Sequence, residues 1–297
     1  MGTFKVAFGL VRANFTKWKR NARIITVFFL LLVLLVYCFS GIPAYLKEND
    51  LTCTPYLMPF AFSTGFNSNG TFKVLFFFIT ILFYSKAPFL DEQSVFMILR
   101  TGRKKWMLGE ILYILVTAFI LTAILWIVFF ILTLPGAEKD PHEWGSLVYR
   151  VLSKGSLQSD QAILRGCYVI PGFVVYADPL ASSLVTTVFV FLDLVILGLT
   201  VHAGNIWFPR KSLGIAMAVI LVLIDPVIEA LTGKPMKFLQ VFSPMSWCGL
   251  NLYPSVGGSG ILTVNRTIIL FVLWISLLLF FIAVKTKRMD IMVYDAE

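Results

Sequence analysis

The sequence predicts an all-α membrane protein: six transmembrane helices, an amphipathic helix lying in the interface ahead of them, and both termini cytoplasmic. Three observations carry this expectation. Residues 24–46 form a run of 23 without one charged side chain, and about 20 apolar residues suffice to cross a bilayer. Six basic residues and no acid (Lys5, Arg12, Lys17, Lys19, Arg20, Arg23) stand immediately before that run, and lysine and arginine collect on the cytoplasmic side. Hydrophobic residues make up 58% of the 297 positions, 28 of them phenylalanine, against roughly 45–50% in soluble domains. Lipid must cover that excess.

Residues 1–23 read as the interfacial helix. At 100° per residue Phe4, Phe8, Val11, Phe15 and Trp18 stay within about 40° of one line, and Lys5, Arg12, Lys19 and Arg23 gather on one flank. That places aromatic residues in lipid and bases among headgroups. The transmembrane domain then occupies 24–297, with spans at about 24–46, 74–90, 106–134, 180–204, 213–231 and 264–284. The second is the shortest: only 74–85 is uncharged, so Lys86 has to snorkel to the inner surface. The third is long enough to tilt. An even number of crossings returns the C-terminus to the inside, where Lys285, Lys287 and Arg288 agree.

On this topology 16 of the 25 lysines and arginines lie inside with 6 acids, while 9 bases meet 9 acids outside. The net charge of +9 therefore reports orientation, not a nucleic-acid partner. The long outer loop 135–179 mixes charge, glycine and proline and suits a small cap. The second, 232–263, carries Pro235, Pro244 and Pro254 among the apolar and aromatic Phe238, Phe242, Trp247 and Tyr253; such a segment can dip into the outer leaflet without crossing. The apolar start does not read as a cleavable signal, because its basic region is long, its apolar run exceeds the usual ~7–15 residues and no small-x-small site follows. Of the four cysteines (Cys38, Cys53, Cys167, Cys248), a disulfide among the last three is open with no pair selected, as are unpaired thiols.

No catalytic constellation is present in the sequence. Two histidines, His142 and His202, exclude a multi-histidine metal site. Neither a His-Glu-x-x-His pattern nor a Gly-x-Ser-x-Gly elbow occurs. Residues 221–225 superficially resemble the apolar strand and aspartate of an ATPase, but no Gly-x-x-x-x-Gly-Lys-Ser/Thr loop accompanies them. The chain is expected not to be an enzyme.

Acids inside the predicted spans are sharper signals. Asp193 falls mid-span, with Ser182, Thr186, Thr200 and Gly204 on its face. Asp225 and Glu229 are i, i+4 neighbours near the outer end of the fifth span, and Gly214, Ala218 and Leu221 continue their face inward. Charges in hydrocarbon are costly and turn toward bundle interiors or water, and small residues let helices approach. The two readings are a polar translocation path and helix packing.

The most specific stretch is 91–111. It joins an acidic helix start, apolar Val95, Phe96, Ile98 and Leu99, a basic 100–105 turn and then the third span. This short amphipathic inner helix, the basic interfacial helix, the six spans and the Ser243–Trp247 stretch together resemble the membrane (permease) subunits of type-2 ATP-binding-cassette (ABC) exporters. The 45-residue loop 135–179 is longer than that family usually carries. The resemblance implies a bacterial permease subunit of the cytoplasmic membrane that exports a peptide, lipid or drug-like substrate. A separate ATP-binding-cassette ATPase subunit, carrying ATP and Mg, would supply the energy, and a second permease copy or paralogue would complete the path. It further implies a coupling helix in which Phe96, Leu99, Arg100 and Arg103 meet the ATPase. The alternative is a self-contained proton- or cation-coupled secondary transporter.

Overall fold

The computed structural model describes residues 3–18, 21–63, 71–85, 87, 92–153, 167, 169, 174–175, 177–208, 212–230, 234–250, 253 and 262–287. Among them the elements are helices, with no strand longer than an isolated bridge. They are α1 (Thr3–Trp18), α2 (Ala22–Phe39), α3 (Gly41–Asn49), α4 (Met58–Phe62), α5 (Thr71–Tyr84), α6 (Glu92–Thr101), α7 (Arg103–Thr133), α8 (Ser146–Ser153), α9 (Pro179–Trp207), α10 (Ser212–Ala230) and α11 (Val264–Lys287). Two 3₁₀ stretches, Lys234–Phe242 and Pro244–Ser246, lie between α10 and α11. Four helical segments are long and apolar enough to cross a bilayer: Ala22–Asn49, Arg103–Gly136, Pro179–Trp207 and Val264–Lys287. The chain is a multi-pass α-helical membrane protein.

Local chemistry sets the breaks. Pro43 offers no N–H to the Phe39 carbonyl four residues earlier, and α2 gives way to α3 at Ser40. The Asp178 side chain accepts the Leu180 N–H, and Pro179 fills the first turn of α9. Gly102, at φ 86°, turns the chain from α6 into α7, a conformation that side chains rarely tolerate. The α5 helix differs from the span expected at 74–90. It begins before Lys73 and ends at Tyr84, because Lys73 is buried and paired inside the protein, and so does not mark a water boundary. The expected snorkelling residue, Lys86, lies outside the described residues.

Contacts at both ends fix the alternation of the apolar helices. At one end α1 and α6 lie on the start of α7: Leu10, Ile98 and Trp106 form a small buried cluster of their own. A Cβ added to Gly109 would lie 2.8 Å from that of Leu10, so α1 and α7 are in close contact. Arg103 donates to the Lys287 carbonyl (3.0 Å), which brings the end of α11 to this same face. Here too α9 and α10 cross at glycines: a Cβ on Gly204 would stand 2.5 Å from the Gly214 Cα. At the opposite end Cys53 pairs with Ala137 in a parallel bridge, Thr52 bonds Ser146, and Trp144 packs on Phe60 and donates to the Ala177 carbonyl. The main core lies between, centred on α9, of which nearly every residue from Phe189 to Gly204 is buried.

Candidate functional site

Toward the loop end, three helices bring charges into the core. The Lys73 ammonium of α5 lies 2.7 Å from Asp225 of α10, with both side chains 2% exposed. The Ser246 hydroxyl, from the second 3₁₀ stretch, donates to the same carboxylate. Pro226 interrupts the backbone ladder of α10 immediately beside Asp225. Asp193 of α9 is wholly buried and within electrostatic reach of both Lys73 and Asp225.

The two carboxylates share a level because their helices share a crossing. Asp193 is 11 residues before Gly204 and Asp225 is 11 residues after Gly214, and those glycines touch. Eleven residues make about three turns and about 16 Å of rise, so each acid stands on its glycine's face at one height. The small and polar residues Ser182, Thr186, Thr200 and Gly204 of α9 are all buried, as are Gly214, Ala218 and Leu221 of α10.

The donor beside Asp193 is a weak one, the Cys248 thiol, and it is shared with the Met245 carbonyl (3.3 Å). Tyr253 bonds the Trp247 carbonyl (2.8 Å) and the Thr267 hydroxyl (2.9 Å). Beyond that thiol, neither Asp193 oxygen has a hydrogen-bond partner among the described residues. Trp247, fully buried, packs edge-on to Phe271 of α11 (4.9 Å) and closes the site beneath the 3₁₀ stretches.

The other residues singled out in the sequence lie elsewhere. Phe96 and Leu99 of α6 are 73% and 65% exposed, Arg100 is exposed, and Arg103 is engaged by Lys287. The stripe on α1 divides: Phe4 and Phe8 are exposed, whereas Phe15 and Trp18 pack against Tyr113, and Trp18 donates to its hydroxyl (3.0 Å). The face of α1 that is buried on α7 runs through Ala7, Leu10 and Asn14, and Asn14 donates to Glu110 (3.1 Å). Glu229 belongs to α10, its side chain outside the described residues. Cys38, Cys53, Cys167 and Cys248 are buried and form no disulfide with one another; Cys167 lies within electrostatic reach of Cys53 and Cys38, whereas Cys248 belongs to the Asp193 neighbourhood. Among the described residues no group of three histidine, cysteine or acidic side chains is placed to hold a metal ion.

Lys73 and Ser246 were missed by sequence reasoning. Lys73 had the one legible signal, a base at the edge of an apolar run with a buried acid available elsewhere. Set against known proteins, the chain matches no protein-family model, no curated protein and no solved structure.

Proposed function

We infer that this chain is the permease subunit of an ATP-driven exporter, working with a separate ATPase that docks on α6. One observation carries the reading. The α6 helix is apolar on two sides: Ile98 anchors it in the cluster with Leu10 and Trp106, while Phe96 and Leu99, three residues apart, face outward. A helix fixed on one side and offering an aromatic-aliphatic anchor on the other suits transmission of force from a partner protein. Arg100 beside that anchor is available to carboxylates.

In this reading the shorter apolar helices Phe72–Tyr84 and Leu213–Ile228 complete six crossings. The 14 residues of α5 rise only about 21 Å, against about 30 Å of hydrocarbon. The short helix α4, packed against α5 and α9, fills out that shortfall. Both described chain ends then lie at the α1/α6 side, which the basic residues assign to the cytoplasm.

The test is copurification. Replacing Phe96 with Ala is expected to cost about 2 kcal/mol of the contact, about a thirtyfold loss of affinity, and to abolish stimulation of the ATPase and export. The chain itself should remain folded in the membrane. Normal export by Phe96→Ala, or its disappearance from the membrane, defeats the coupling role. A second reading, a self-contained proton- or cation-coupled carrier, draws on Asp193, wholly buried and without an ionic partner at bonding distance among the described residues. Transport in ATP-free vesicles driven by a pH gradient alone would decide for it.

A further inference from the structure

Among the described residues the buried site holds one ammonium and two carboxylates, each no more than 2% exposed. Ionised throughout, it would carry one uncompensated negative charge. An isolated buried carboxylate without donors costs many kcal/mol, and proteins avoid that cost by neutralising the group. Lys73 and Ser246 are both on Asp225, the Tyr253 hydroxyl is bonded to other groups, and the Cys248 thiol, which also donates to the Met245 carbonyl, offers Asp193 only a weak, shared donor. A proton balances Asp193 without metal ligands, and the described residues offer no group of ligands for a metal ion.

We propose that Asp193 is a proton-binding site, coupled through Lys73 to Asp225. While the ammonium rests on Asp225, Asp193 binds one proton as a neutral carboxyl. When the ammonium turns to Asp193, that proton leaves and Asp225 takes one in its place, so the charge of the site is conserved. The groups that face Asp193 among the described residues are Lys73 from α5, Asp225 from α10, and Cys248 and Tyr253 from the segment between α10 and α11. Since α5, α9 and α10 each bring one member, the exchange reports how these helices are packed. Pro226 beside Asp225 supplies a place for α10 to bend. The proposal does not rest on the export reading, and the failure of either leaves the other standing.

The test is infrared spectroscopy of the purified full chain in lipid, read at the carbonyl stretch of protonated carboxyls near neutral pH. Wild type is expected to show a band that Asp193→Asn removes. In Asp225→Asn the ammonium loses the Asp225 carboxylate and turns to Asp193, so the Asp193 band is expected to disappear there as well. A wild-type spectrum without any protonated carboxyl band overturns the proposal, and needs no variant to fold. A band that survives in Asp193→Asn overturns the assignment. A band unchanged in Asp225→Asn overturns the exchange through Lys73.

Discussion

The loop-end core and the outer faces of α1 and α6 are finished in different ways. Near the loop end, Lys73, Asp225 and Asp193 are hidden in the core; at the α1/α6 end, Phe4, Phe8, Phe96 and Leu99 are left outside it. The first arrangement satisfies itself within one chain, apart from the charge on Asp193. The second is incomplete alone and is finished by something apolar: lipid for α1, a protein for α6 in the export reading. The loop-end charges are thus met largely from within the chain, whereas the aromatic residues exposed on α1 and α6 call for something outside it.

Breaking the hidden side has the largest expected effect. Lys73→Met strands the Asp225 carboxylate in the core, and removing one partner of a buried pair costs about 3–5 kcal/mol. Adding Asp225→Leu to it should recover most of the loss, since apolar replacement of a whole pair is often neutral. Asp225→Asn should cost clearly less than Lys73→Met, because Asp193 stands ready to receive the ammonium. Thermal unfolding in detergent ranks the three. Equal losses for Lys73→Met and Asp225→Asn would mean that Asp193 is out of the ammonium's reach.

The exposed side offers a sharper contrast within a single helix. Ile98→Ala empties the cluster with Leu10 and Trp106 and should cost about 2–4 kcal/mol. Phe96→Ala, two residues away, should stay within about 0.5 kcal/mol in the isolated chain, although it severs the partner contact. If both variants unfold alike, Phe96 is covered by the protein's own residues and the coupling role fails.

Much of this fold was legible because hydrocarbon leaves a simple mark. The apolar runs that predicted the spans became helices, the first of them divided into α2 and α3, and four of the resulting helical segments are long enough to cross a bilayer; the residues on the Asp193 face proved buried. What stayed hidden was pairing at long range. Hydropathy treats Lys73 as the edge of a span, since no local pattern shows that Asp225 will meet it 2.7 Å away. The stripe on α1 likewise showed that an apolar face exists without showing what covers it. Phe15 and Trp18 face Tyr113, and the close approach to α7 is set by Ala7, Leu10 and Gly109, small or compact residues that a search for aromatic stripes passes over.

The next largest effect tests the crossing that levels the two acids. A Cβ on Gly214 would collide with the Val201 carbonyl and the Asn205 side chain, and backbone cannot step aside cheaply. Gly214→Ala should cost about 1–3 kcal/mol and part α9 from α10, which a crosslink between the helices would detect. Gly9→Ala is the control: nothing lies within 4 Å of its added carbon. It should be neutral or gain up to about 1 kcal/mol of helix stability.

The smallest effect concerns the loop end, where Cys53 and Ala137 are bridged. The Thr52 hydroxyl, and next the amides of Lys139 and Asp140, hold the Glu138 carboxyl below the usual range, which is about 4.3 for glutamate. With the folded value depressed, the stabilising contribution is complete above that range and is lost as the pH falls through the folded value. Protection of the Cys53 and Glu138 amides, which bond Gly136 and Cys53 across the bridge, should therefore weaken in acid. Glu138→Gln should flatten that response. Burial, and after it the Glu138 charge, pushes the Cys53 thiol up to about 12, so alkylation at mildly alkaline pH should be slow. Because burial is the larger cause, Glu138→Gln should leave alkylation slow even while it removes the acid sensitivity. Fast alkylation in that variant would mean that the bridge opens, and that the loop end is held by the Glu138 contacts more than by the packing of Trp144 on Phe60.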